Sequence, residues 1–290
     1  MTPLRTRFAP TPNGYLHLGN FYNLIWVVLH ARARGAEIGL RIDDYDQTRY
    51  RTHFVDDIFA VLERAGFEWQ HGPSTTKEFE REYSSRLRRT LYRAAETKLE
   101  ASARTYWCLC TRKMEAGALV YSGRCREAGH AKDDVNDEGL AAQLRFRMNG
   151  ISLKKEIGDF IVLPRGGELA YHVASVVDDM HFGYKLLVRG RDLRPSSEAQ
   201  CELAPELGLA SFATETTFVH HPLIVGPNGE KLSKSQSASP VLKHLRAPEG
   251  LRQVLRDFAQ TQLYLPETAE IPDRLDEFAQ LYAARIPKTP

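Results

Sequence analysis

Arg7-Phe-Ala-Pro-Thr-Pro-Asn-Gly14-Tyr-Leu-His17-Leu-Gly19-Asn20 joins a strand-like run at residues 4–8 to a long apolar segment that ends at Arg34. The run reads as a strand and the apolar segment as a helix. Gly35 stops the helix, and a second strand is expected at 38–42. Strand, loop, helix, strand in that order implies an α/β chain with a parallel sheet and crossover helices. Moving outward, Phe54, Ile58, Val61 and Leu62 predict a helix ending at Gly66. A further helix is expected from about residue 80 to 101, with Leu87, Leu91 and Leu99 along one side. Both suit the covering of a sheet.

The regular pattern breaks over residues 106–138, which are rich in Cys, Gly and charge and end in an acidic loop at 133–138. This segment reads as an insertion. Strand-like runs at 141–148, 159–164 and 185–188 are assigned to the second half of the split sheet. A helix with a serine cap is expected from Ser196 or Ser197 to Gly208, and a strand at 222–225. Beyond Leu232 the chain reads as helical, with Leu251, Val254, Leu255 and Phe258 at helical spacing and a last helix carrying Pro272 in its first turn. The expected division is a catalytic domain at 1–238, interrupted at about 104–140, and a helical region at 239–290.

Composition narrows the class. With 290 residues, 42% hydrophobic and 26% charged, the chain is long enough for a sizeable core. No stretch approaches the roughly 20 apolar residues of a membrane span, and the N-terminus lacks a signal-peptide core. A cytoplasmic, membrane-free monomer is expected. The net charge of +2 exerts no global pull on polyanions, so any nucleic-acid contact must be a local patch. Arg86, Arg88, Arg89, Arg145, Arg147, Lys154 and Lys155 are candidates, although such runs are more often solvated faces.

Two loops carry candidate phosphate chemistry. The first places Gly14, His17, Gly19 and Asn20 at a helix start, where unpaired N–H groups and the positive dipole end suit nucleotide phosphates. Its bland alternative is a proline-stiffened turn with a capping histidine. The second, Gly226-Pro-Asn-Gly-Glu-Lys231-Leu-Ser233-Lys234-Ser235, is a glycine-containing basic loop that could close over a triphosphate. Its alternative is an exposed basic turn. Neither a G-x-G-x-x-G fingerprint nor a P-loop is present.

Three of the four cysteines, Cys108, Cys110 and Cys125, cluster in sequence, with Tyr121 and His130 nearby, and Cys201 stands apart as an expected buried helix residue. In a cytosolic chain, clustering favours a metal over a disulfide. Coordination chemistry alone favours His130 as fourth ligand, because a phenol must first lose a proton of pKa about 10. Reduced cysteines in a small core are the alternative.

Taken together, His17-Leu-Gly-Asn and Lys231-Leu-Ser-Lys-Ser resemble the HIGH and KMSKS signatures of class I aminoacyl-tRNA synthetases. The run from Phe8 to His17, Leu40-Arg-Ile-Asp-Asp-Tyr-Asp46, Tyr171-His-Val-Ala-Ser-Val-Val-Asp-Asp179 and Val188-Arg-Gly-Arg-Asp192 are similar to those of glutamyl-tRNA synthetases. The likeness covers roughly residues 5 to 235. The short length and the Cys-x-Cys, Tyr, Cys insertion resemble the truncated branch that glutamylates queuosine in tRNA(Asp).

The resemblance implies a class I synthetase Rossmann-type sheet, split by a zinc-containing insertion and followed by a short helical stem-contact region. It implies ATP, Mg2+ and structural Zn2+, with His17, Gly19, Asn20, Lys231, Ser233 and Lys234 at the nucleotide. Glutamate would be held by Arg7, Thr11, Asp43, Tyr171 and Arg189, and zinc by Cys108, Cys110, Tyr121 and Cys125. Glutamyl enzymes usually carry Glu at position 43 and Ser at position 11, so the pocket is slightly remodelled. Ser175 stands where longer synthetases often carry Asn. A magnesium role for Asp44, Asp46, Asp178 or Asp179 is the weakest of these expectations. Residues 239–290 are too few for an anticodon-binding domain, which directs the expected acceptor toward the anticodon region of tRNA(Asp). Transfer to another tRNA, a small molecule or a carrier protein is the alternative, and a non-catalytic tRNA-binding module is the alternative of another class.

Overall fold

The computed structural model describes residues 3–111, 114, 120–149, 156–166, 169–224 and 240–287. The chain divides into two compact units. One comprises Met1–Leu87, Tyr184–Asp192 and Thr217–Pro290; the other comprises Arg88–Gly183 and Leu193–Thr216.

The first unit is built on a parallel sheet in the order β2-β1-β6-β7. Its strands are β1 (Arg5–Phe8), β2 (Glu37–Leu40), β6 (Leu186–Gly190) and β7 (Thr217–His221). Register runs Arg7 against Gly39, Thr6 against Leu186 and Arg189 against His220. Helix α1 (Leu18–Arg34) links β1 to β2 and buries every position from Phe21 to Ala31 apart from Asn23. Gly35 ends it in the left-handed region at φ 63°, a conformation that favours glycine. Helix α2 (Thr52–Arg64) buries Val55, Ile58, Val61 and Leu62 and leaves Phe54 only half-buried.

The expected 80–101 helix is broken. Phe79–Tyr83 forms a π-turn, Ser84 is extended at ψ 141°, Ser85–Arg88 is a 3-10 turn, and α3 (Arg89–Ala101) begins only there. The cause is a competing acceptor: the buried Asp44 carboxylate takes the Ser84 hydroxyl (2.6 Å) and the Ser85 N–H (2.8 Å). Leu87 and Leu91 are exposed, and Ala95 and Leu99 are the buried face of α3 instead.

The second unit holds an antiparallel sheet, β3 (Thr105–Cys108), β4 (Gln143–Phe146) and β5 (Ile161–Leu163), in that order. The runs expected at 141–148 and 159–164 therefore belong to this sheet and not to the parallel one. Helices α4 (Tyr171–His181), α5 (Arg194–Leu203) and α6 (Ser211–Glu215) complete the unit. Helix α5 starts before Ser196, with Pro195 in its first turn and no side-chain cap. Ser197 donates instead to the Leu193 carbonyl one turn back, and Cys201 is half-buried.

Returning to the first unit, the strand expected at 222–225 is found earlier, as β7. Helices α7 (Val241–Leu245), α8 (Gly250–Gln262) and α9 (Leu275–Tyr282) follow. Pro272 precedes α9 rather than opening it. Leu251, Val254, Leu255 and Phe258 share one hydrophobic cluster with α1, Phe258 meeting Tyr22 and Trp26 edge-on. Burial of each such side chain contributes about 1.5–3 kcal/mol. Among the described residues, no helix is long and apolar enough to cross a membrane.

Candidate active site and metal centre

In the first unit, the carboxyl ends of β1, β2 and β6 converge, as ligand sites in open α/β sheets do. Arg7 lies on β1 and Arg189 on β6, 4% and 3% exposed. The ladder between β1 and β2 continues past the strands, through Arg41 N–H to the Phe8 carbonyl and Asp43 N–H to the Pro10 carbonyl (2.9 Å). Asp43 is thereby carried beside Thr11, which is exposed. With a two-residue repeat along each strand, Arg7, Arg41, Asp43 and Arg189 share one face. The Arg189 guanidinium also lies 5.5 Å from the Phe218 ring centre.

Arg41 is a member of this group that the sequence reading missed. Its Nε donates to Asp43 Oδ1 (2.6 Å) and its Nη2 to Oδ2 (3.0 Å), a buried fork-to-fork pair. The signal was available, since positions 41 and 43 are two apart on an extended segment. The pair fixes the Asp43 carboxylate and balances its charge.

The loop after β1 ends in a capping box. Asn20 N–H donates to His17 Nδ1 (3.3 Å), and His17 N–H donates to Asn20 Oδ1 (3.1 Å). The capping role and the phosphate role are compatible: a neutral imidazole accepting at Nδ1 carries its proton on Nε2, where it can donate. No acidic residue occupies the first turn of α1 itself. A Cβ added at Gly14 would meet open space, so packing does not demand glycine there. The Leu16 peptide is gripped from both sides. Its N–H donates to Asp57 Oδ2 of α2 (3.0 Å), and its carbonyl accepts from Val241 N–H (2.7 Å). Burial raises the Asp57 pKa above the usual carboxylate value, and the Leu16 hydrogen bond opposes this. Asp57 was also missed, because its partner lies 41 residues away.

Lys231, Ser233 and Lys234 lie outside the described residues, as do Lys154 and Lys155. The second unit carries Tyr171 as the first residue of α4, 39% exposed, with Ser175 buried one turn on. The acidic residues considered for magnesium are engaged otherwise. Asp44 holds Ser84 and Ser85. Asp46 accepts from Thr48 (2.5 Å). Asp178 receives the Arg88 fork (2.8 and 2.7 Å) and the Tyr92 hydroxyl. Buried Arg88 therefore leaves the set of phosphate candidates, and Arg147 is paired with Glu127.

The candidate metal centre lies entirely in the second unit. Cys108 ends β3, and Cys110 and Cys125 follow, all three buried with their Sγ atoms within 4.8 Å of one another. Cys110 and Cys125 Sγ are 3.4 Å apart. Tyr121 Oη lies 3.3 Å from Cys108 Sγ and 3.7 Å from Cys110 Sγ, and accepts from the Cys125 N–H (3.1 Å). A tetrahedral zinc with three thiolates and a phenolate oxygen requires S–S edges of about 3.8 Å and S–O edges of about 3.5 Å. The four side chains fit. His130 is not in the group, and its Nδ1 faces Asp134 Oδ2 at 3.7 Å. Burial pushes the Cys110 thiol up to about 12. Burial acts on Cys125 in the same sense, but hydrogen bonds from Tyr121 and the Leu109 backbone outweigh it and bring this thiol down to about 6.

Comparison with known proteins agrees with this geometry. The family described as tRNA synthetases class I (E and Q), catalytic domain, matches residues 3–271. A glutamyl-Q tRNA(Asp) synthetase of Pseudomonas aeruginosa is 36% identical over 258 residues, covering 83% of this chain and 84% of its own. That of Chromobacterium violaceum is 38% identical over 270 residues, covering 87% and 85%. Among solved structures, a glutamate tRNA ligase from Elizabethkingia meningosepticum, in complex with its amino acid, matches with TM-score 0.67 at 19% identity, over 96% of this chain and 64% of that one. Mycobacterium tuberculosis methionyl-tRNA synthetase matches with TM-score 0.52 at 13% identity, over 89% of this chain and 64% of its own. Both share the fold. Extent of match and identity together show that the chain belongs to the class I synthetases of the E and Q type, in the glutamyl-Q tRNA(Asp) synthetase family.

Proposed function

We propose that the chain activates glutamate with ATP and transfers the glutamyl group to the queuosine base of tRNA(Asp), in a cytoplasmic setting. The observation that carries the choice of an acid is the pair of buried arginines, Arg7 and Arg189, on neighbouring strands beside Asp43. Two guanidinium forks suit a γ-carboxylate, and a neutral amide would leave them short of charge.

In this reading the Asp43 carboxylate meets the ammonium. Thr11 adds an amino-acid contact from the first unit; for Tyr171, on the second, the family resemblance implies a side-chain-binding role. A glutamate α-carboxylate oxygen attacks the α-phosphorus of ATP, the bond to the bridging oxygen breaks, and pyrophosphate leaves with the electron pair. Orientation and charge stabilisation supply the rate. His17 Nε2 donates to the phosphate oxygen that gains charge. Gly19 and the first N–H groups of α1 line the approach, while Asn20 holds His17 in place. Lys231, Ser233 and Lys234 would steady the outgoing pyrophosphate, with the Mg2+ that accompanies ATP. A hydroxyl of the queuosine cyclopentenediol then attacks the acyl carbon, and AMP leaves. Cys108, Cys110, Tyr121 and Cys125 would hold zinc. Four protein ligands leave no open position, so the ion would cross-link the insertion.

ATP–pyrophosphate exchange measured with each amino acid, with and without tRNA, tests the activation step. Exchange should depend on glutamate and be far weaker with glutamine. Absence of glutamate-dependent exchange under both conditions would remove the enzyme reading.

A further inference from the structure

We infer that Arg145 is a positioning residue of the cysteine centre, clamping Tyr121 beside Cys108 and offsetting the negative charge that four anionic ligands bring to one cation. It rests on the zinc reading above. Arg145 lies on β4 and faces the centre across the β3–β4 ladder, in register with Tyr106. Three contacts fix its guanidinium. Nε donates to Cys108 Sγ (3.3 Å), Nη1 donates to the Asp159 carbonyl (2.7 Å), and the central carbon stands 3.8 Å from the Tyr121 ring centre.

The anchor for these contacts is itself held. The Asp159 carboxylate accepts from the Tyr106 hydroxyl (2.6 Å), the Met148 N–H (3.0 Å) and the Arg126 guanidinium. Arg145 is therefore placed by the sheet and by Asp159, and Tyr121 and Cys108 are placed against Arg145.

Charge supplies the chemical reason. Three thiolates and one phenolate around Zn2+ leave a net charge of about −2 in a buried cluster, which is costly without nearby cations. A planar guanidinium can stack on the phenolate face and donate in its own plane to a thiolate at once, which a lysine cannot. It also bears on why Tyr121 rather than His130 stands at the fourth position: an aromatic anion under a stacked cation is favoured, and His130 is turned to Asp134. Neutral imidazole would gain less from such a neighbour.

The test is competition for zinc against a chromophoric chelator, using the full chain as wild type, Arg145→Gln, Arg145→Lys, Tyr121→Phe and the double variant Arg145→Gln/Tyr121→Phe. Loss of an outer-sphere partner of this kind weakens metal binding roughly tenfold to a hundredfold. That loss is expected for Arg145→Gln, with partial recovery in Arg145→Lys, which keeps charge but not the fork. In the double variant the two losses should fall short of their product, because the Arg145–Tyr121 stack is lost in both singles while the bond from Arg145 to Cys108 is lost only with Arg145. In cobalt-substituted protein the thiolate-to-cobalt band should shift in Arg145→Gln as Cys108 loses its donor, a change that a purely structural arginine would not cause. Arg145→Gln with wild-type affinity, or losses that multiply in the double variant, would overturn the inference. Should Arg145→Gln fail to fold, Arg145→Lys alone decides, with unchanged affinity and cobalt spectrum as the contrary result. Wild-type protein that binds no zinc would remove the zinc reading and this inference together; zinc binding indifferent to Arg145 would remove this inference only.

Discussion

The strand-end site of the first unit and the cysteine centre of the second are assembled in opposite ways. Arg7, Asp43 and Arg189 are far apart in sequence and meet because parallel strands bring their carboxyl ends to one edge. Backbone hydrogen bonds set those positions, so a side chain can be removed there with the frame intact. Cys108, Cys110, Tyr121 and Cys125 are close in sequence, and only Cys108 belongs to a strand. Their placement depends on side-chain contacts with one another and with Arg145. Chemistry should therefore fail first in one region, and local folding first in the other.

The largest separation is expected for Arg189→Ala. Truncating one partner of a buried charge pair costs about 2–5 kcal/mol, so kcat/KM for glutamate in pyrophosphate exchange should fall by roughly thirtyfold to a few thousandfold. Zinc content should be unchanged, and a matching loss of zinc would break the contrast. His17→Asn divides the two roles of one residue. Asparagine caps helices well, so the melting temperature should hold, while loss of the Nε2 donor lowers kcat by about a hundredfold. Retained exchange would reduce His17 to a cap.

Cys125→Ser works on the other region. Zinc should be lost and the thermal transition of the second unit lowered, while glutamate-dependent exchange changes by less than about tenfold, far below the cost of removing a transition-state donor. Circular dichroism in the aromatic region, reporting Tyr106 and Trp107, follows the local change. A smaller effect is expected at Asp57. Asp57→Asn keeps an acceptor for Leu16 N–H without a buried charge and should be near neutral; Asp57→Leu orphans that donor, a loss of about 1–3 kcal/mol measurable by denaturant unfolding.

A further test is acid. Burial is the main cause that lowers His30 to about 3 and His221 to about 4 from 6.5. Below pH 6.5 the unfolded chain takes up protons that the folded chain refuses, so stability should decline as pH falls from 6.5 toward 4 and be flat above. His221→Phe, which keeps the stack on Trp26 (5.8 Å, 8°), should soften that limb in a melting-temperature profile.

Local features of both regions were legible in the sequence. The strand, loop and helix ending at Gly35, and the three clustered cysteines, follow from spacing within one short segment. What escaped were partnerships across long separations. Nothing near Ser84 announces that Asp44 will take its hydroxyl and break the helix, and the exposure of Leu87 and Leu91 follows from that break. Asp57 grips Leu16, and Arg88 is neutralised by Asp178, over similarly long spans. The bidentate Arg41–Asp43 pair was within reach, because two residues on one extended segment point the same way. Arg145 was noticed only as a charge, since its contacts with Cys108 and Tyr121 exist only once β4 pairs with β3.

The most direct measurement is transfer of labelled glutamate, with ATP, to tRNA(Asp) that contains queuosine and to the same tRNA lacking it. Label should appear on the queuosine-containing tRNA alone and, after nuclease cleavage, stay with the anticodon fragment rather than the 3′-terminal fragment. Equal labelling of both tRNAs, or glutamate-dependent exchange with transfer to neither, would contradict queuosine as the acceptor.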